Sequence, residues 1–104
     1  MYESKTRSEE TDHLFEAILS LRSVEECYRF FDDLCTINEL LAMSQRFDAA
    51  EKLYRGSTFS AITEETGVSS ATLTRVNRCL KYGAGGYKAI LDRKYRQETD
   101  ENDS

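Results

Sequence analysis

The chain has 104 residues, with 14 Lys and Arg against 19 Asp and Glu, three Cys, and neither Pro nor Trp. That length holds one core, no apolar run approaches the roughly 18 residues of a membrane span, and the acidic start is no signal peptide. The net charge of −5 is segregated: residues 1–45 sum to −6, 46–96 to +5 and 97–104 to −4, so the basic half offers a polyanion a face that the total conceals.

Residues 1–11 are polar without a period and are expected to be poorly ordered. Leu14, Ile18 and Leu21, flanked by Phe15 and Leu19, then recur at helical spacing over about 12–22. Ser23 opens a capping box with Glu26, which starts a helix over 23–35 carrying Val24, Cys27, Tyr28, Phe31, Leu34 and Cys35. Thr36 and Glu39 form a second box, opening a helix that runs to about Arg55 before Gly56 ends it. No stretch alternates with period two, so the fold class is all-α. Helix 23–35 crowds Tyr28, Phe30, Phe31 and Leu34 onto more than one face. A helix apolar on two faces is buried on two faces, and in a chain this short the second face predicts a homodimer.

Catalytic chemistry finds little footing. Cys27 and Cys35 are eight residues apart on one helix, too far to bridge, and with Cys79 they read as small apolar fillers. His13 is the only histidine, which leaves no convincing zinc set and no Cys/His pair. Adjacent carboxylates such as Asp32 and Asp33, or Glu25 and Glu26, diverge by about 100° on a helix and make no dyad. The glycines of residues 83–86 are too short a run, and misplaced, for a phosphate loop. A soluble, cytoplasmic, non-enzymatic protein without cofactor or metal is the expectation.

The informative stretch is 58–82, TFSAITEETGVSSATLTRVNRCLKY. It reads as a helix over about 59–65 anchored by Ile62, a reversal at Gly67, a corner plug at Val68, and a second helix capped by Ser69 and running to about Tyr82. On that helix Leu73, Val76 and Leu80 form the inward stripe. Ser70, Ala71, Thr74 and Arg78 then face outward, where small side chains admit close approach to a major groove and hydroxyls can bond base edges. Arg75, Arg78 and Lys81 would take phosphates. These features point to a helix-turn-helix that binds double-stranded DNA. The alternative is an interaction module that keeps the fold and binds another protein through its acidic first half. Residues 83–86 read as a flexible break, and Ile90, Leu91 and Tyr95 as a last short helix, followed by an acidic disordered tail at 97–104.

The stretch ATLTRVNRCLK with its GVSS turn resembles the tryptophan repressor superfamily, and ECYRFFDDLCTINEL resembles its YerC/YecD branch. The resemblance covers residues 12–93 and implies an intertwined all-α homodimer of about six helices per subunit, acting as a DNA-binding transcriptional regulator, most often a repressor. It places base reading on Ser70, Ala71 and Thr74, with Ser60 and Thr63 near the DNA backbone. It also implies an effector pocket at Thr36, Arg46, Thr72 and Arg75, where the family clamps tryptophan between two arginines. Here Val76 stands in place of a glycine and Cys79 in place of a serine. A branched side chain fills space a flat indole needs, and a thiol is a poor hydrogen-bond partner, so tryptophan is not the expected corepressor.

Overall fold

A computed structural model describes residues 2–103, with side chains through Arg96. It contains six helices, α1 (Glu9–Leu19), α2 (Val24–Leu34), α3 (Ile37–Tyr54), α4 (Phe59–Thr66), α5 (Ser70–Tyr82) and α6 (Gly86–Asp103), and no strand among the described residues. The chain divides into two compact units, Met1–Leu40 and Leu41–Ser104.

In the first unit the helix starts follow from local capping. Ser8 accepts a hydrogen bond from the Thr11 amide at 3.0 Å, so α1 begins at Glu9, ahead of the expected start near Asp12. The α1 pattern ends at Leu19 instead of continuing to Arg22, with Ser20 turning its hydroxyl back onto the Ala17 carbonyl. Ser23 accepts from the Glu26 amide, while the Glu26 carboxylate reaches the Arg22 amide, one residue before the position a capping box uses. The Thr36–Glu39 box closes in both directions, at 2.8 and 3.1 Å. The amide and hydroxyl of Thr36 hold the Glu39 carboxyl below its ordinary range. Neither α1 nor α2 contains a buried residue. Phe30 and Phe31 meet edge-to-face at 5.4 Å, but Leu19, Val24, Tyr28 and Ile37 are largely exposed.

The second unit holds the core. One cluster joins Ala49 of α3, Ile62 of α4, the corner residue Val68 and Leu73 of α5, with Leu53 packed on it. The other joins Ala50, Val76 of α5 and Leu91 of α6, with Phe47, Tyr54, Leu80, Tyr87 and Tyr95 around them. Adjacent alanines on α3 let helices approach it closely on two sides. Helix α6 is bound to α3 by polar links as well. The Tyr54 hydroxyl donates to Asp92 at 2.6 Å, Lys94 pairs with Glu51 at 2.6 Å, and the Tyr54 and Tyr95 rings stack at 5.4 Å.

Residues 83–85 make a specified corner between α5 and α6. A Cβ on Gly83 would lie 2.4 Å from the Cys79 carbonyl oxygen, and Gly85 sits at φ +89°, so both positions require glycine. The expected short last helix is instead 18 residues long, because nothing after Gly86 breaks it. The side chains of residues 97–103 and the whole of Ser104 lie outside the described residues, and the expectation of a disordered acidic tail falls there.

Candidate nucleic-acid interface

Helices α4 and α5 are joined by a reversal three residues long, and each step of it has a local cause. Thr58 caps α4 by accepting from the Ala61 amide. Gly67 ends the helix in the left-handed region at φ 73°, ψ 5°, where a side chain is disfavoured. The Thr66 hydroxyl donates to the Ile62 carbonyl and accepts from the Val68 amide, which pulls Val68 inward. Val68 is then buried under the corner, and Ser69 caps α5 by accepting from the Thr72 amide at 3.1 Å. The helix boundaries agree with those read from the sequence to within a residue.

On α5 the burial is one-sided. Leu73 and Val76 are buried and Leu80 half-buried, while Ser70, Ala71, Thr74, Arg75, Arg78 and Lys81 are exposed. At about 100° per residue those six occupy the half of the helix opposite the core stripe. Ion pairs join Arg29 to Glu25, Lys52 to Asp48 and Lys94 to Glu51; among the described residues no carboxylate neutralises Arg75, Arg78 or Lys81. The outer face of α5 is therefore small toward its N-terminal end, cationic toward its C-terminal end and uncompensated. On α4, Ser60 is exposed and Thr63 half-buried, with the Thr63 hydroxyl donating to the Phe59 and Ser60 carbonyls at 3.1 Å. The Ser69 hydroxyl is engaged with Thr72 at 3.0 Å, so its first task is the cap.

Behind the face, a cavity of about 370 Å³ is lined by Arg46, Thr72, Arg75, Val76, Cys79 and Tyr87. Three of the four expected effector residues meet there. Thr36 belongs to the first unit, where its hydroxyl caps α3. Val76 is both core and cavity wall. Tyr87 is half-buried, tilted against Phe47 at 6.4 Å, and also walls this cavity. A second, apolar cavity of about 470 Å³ adjoins the first at Cys79 and Tyr87, with Phe47, Ala84 and Ile90 on its sides. Sequence reading missed it, since its walls come from α3, α5 and α6 together.

Comparison with known proteins places this geometry. The Trp repressor protein family matches residues 9–95. The uncharacterized protein YerC of Bacillus subtilis (strain 168) is 53% identical over 96 residues, covering 92% of each chain. Among solved structures, a candidate Trp repressor from Staphylococcus aureus is 48% identical with a TM-score of 0.83, covering 88% of this chain and 91% of that one. A TrpR-like protein from Eubacterium eligens ATCC 27750 is also 48% identical, with a TM-score of 0.82 over 86% of this chain and 92% of its own.

Proposed function

The chain belongs to the Trp repressor family, and from that premise we propose that it is a sequence-specific DNA-binding transcriptional regulator, a repressor acting as a homodimer. The observation that carries the reading is the uncompensated outer face of α5. Arg75, Arg78 and Lys81 would take phosphates there, and Ser70, Ala71 and Thr74 would meet base edges, with Ser60, Thr63 and Ser69 near the DNA backbone. Dimerisation is supported by a first unit whose helices bury no residue while exposing Leu19, Val24, Tyr28 and Ile37. Two such faces would read half-sites about one helical turn, roughly 34–36 Å, apart.

The cavity behind α5 is the effector site in this reading, with Arg46, Thr72 and Arg75 as its polar contacts. Tryptophan is not its ligand. Val76 walls the cavity with a branched side chain where the family pattern has a glycine, and Cys79 offers a weak hydrogen-bond partner. No metal or cofactor enters the proposal. No described helix is long and apolar enough to cross a membrane, consistent with a regulator at work in the cytoplasm.

Selection of bound duplexes from a random pool, at near-physiological salt, tests this directly. A palindromic consensus enriched equally with and without tryptophan is expected. Enrichment only with tryptophan overturns the reading of Val76 and Cys79. A folded dimer that enriches nothing in either condition overturns DNA recognition and favours a protein-binding role.

A further inference from the structure

Thr74 is exposed on α5, one turn after Ser70 on the same face. Its Oγ1 lies 2.8 Å from the Ser70 carbonyl oxygen. A carbonyl oxygen carries lone pairs and no proton, so the hydrogen in this bond is Thr74's own. The hydroxyl has one hydrogen and spends it on the helix. What it keeps for anything approaching from outside is acceptor capacity alone. Ser70 differs, because among the described residues no group takes its hydroxyl hydrogen, so it can donate or accept. Ala71, three residues before Thr74, brings only a methyl group to the same region.

Resting on the DNA-binding reading above, we propose that Thr74 reads its base pair as an acceptor and selects an exocyclic amino group, N6 of adenine or N4 of cytosine. In the major groove guanine presents N7 and O6 to a side chain and thymine presents O4, all of them acceptors. Two acceptors facing each other leave both without a hydrogen. Turning the hydroxyl outward to donate breaks its bond to the Ser70 carbonyl, which forfeits roughly fivefold in binding. The preference is therefore built into the free protein, set by a backbone atom one turn away, and it disfavours the keto edges that a free serine or threonine hydroxyl tolerates.

The test uses the full chain and the duplex obtained by selection. Each adenine of the half-site is replaced in turn by purine, and each cytosine by 2-pyrimidinone, which deletes the amino group and leaves the ring. One position is expected at which deletion costs the parent protein roughly tenfold and costs Thr74→Val nothing. Thr74→Ser, which keeps the hydroxyl, restores the sensitivity, and circular dichroism of both variants reports an intact fold. The assignment is overturned if the Thr74-dependent position is guanine or thymine. It is equally overturned if Thr74→Val loses affinity to the same extent on parent and amino-deleted duplexes. A parent protein that binds no duplex brings down the DNA-binding reading itself, and this inference with it.

Discussion

Arg75 and Arg78 are three residues apart on one helix, and their surroundings give them different work. Arg75 is exposed and also walls the cavity with Arg46 and Thr72, whereas Arg78 is exposed and lines no part of it. A guanidinium that meets only phosphate contributes through counterion release, which is indifferent to base sequence. Arg78→Ala should therefore weaken binding to the selected operator and to an unrelated duplex by the same factor. The slope of log affinity against log salt should also fall by about one. Fluorescence anisotropy at four or five salt concentrations measures both, and an effect confined to the operator would move Arg78 from phosphate to base. No such clean separation is expected for Arg75, since its removal changes cavity and face together. The outer position of both arginines was legible in the sequence, because the inward stripe of Leu73, Val76 and Leu80 leaves them nowhere else to point. The hydroxyl bond from Thr74 to the Ser70 carbonyl was not, because a threonine rotamer on a helix is settled by local geometry that residue type leaves open.

At the scale of elements, what could be read in advance was what the chain decides locally. The starts of α2, α3, α4 and α5 each rest on a Ser or Thr whose oxygen accepts from an amide three residues on; Ser23, Thr36 and Ser69 were legible as caps for that reason, whereas the Thr58 cap of α4 was not read in advance. The links between α3 and α6 were not legible. Tyr54 and Asp92 are 38 positions apart, and no spacing rule joins them. Their bond has a measurable consequence. Donation to the Asp92 carboxylate, reinforced by desolvation and by its negative charge, raises the Tyr54 hydroxyl above its ordinary 10.0. A group whose folded pKa is raised contributes stability that is fully present below the unfolded value and lost as pH climbs through the folded one. The second unit should accordingly hold its stability to about pH 10 and lose part of it above that. Tyr54→Phe should be less stable at neutral pH and show a smaller alkaline loss. Denaturant titrations from pH 7 to 11 on both proteins compare the two, with tyrosinate absorbance following the ionisation. An alkaline limb unchanged by the substitution would mean that the hydroxyl does not tie α6 to α3 in solution.

For the whole molecule, the two units differ in what they bury. The second unit encloses Ala49, Ala50, Ile62, Leu73, Val76 and Leu91, and has a core of its own. The first unit encloses nothing in α1 or α2, yet carries Leu19 at 84% exposure, Ile37 at 79% and Val24 at 73%. Fixing its backbone costs about 1–2 kcal/mol per residue, and exposed apolar groups return almost none of that. Its helices need a covering surface to persist, and in the homodimer proposed above a second copy would supply one at fixed stoichiometry, with two-fold symmetry matched to a palindromic operator. Mass action then makes stability depend on concentration. The melting temperature should rise as protein concentration is raised a hundredfold, and sedimentation should give twice the 12.0 kDa of one chain. Tyr28 provides the discriminating variant, being 62% exposed on a single chain and placed on the crowded side of α2. In a monomer Tyr28→Glu exchanges one solvated side chain for another, and such surface changes stay within about 0.5 kcal/mol. In a dimer that covers α2, the same change buries an unpaired carboxylate, which costs several kcal/mol. Tyr28→Glu should therefore lower the melting temperature, shift sedimentation toward the single chain and weaken operator binding together. A variant that melts and sediments like its parent would leave the first unit covered by something other than a second copy, and the two-fold operator would lose its structural basis.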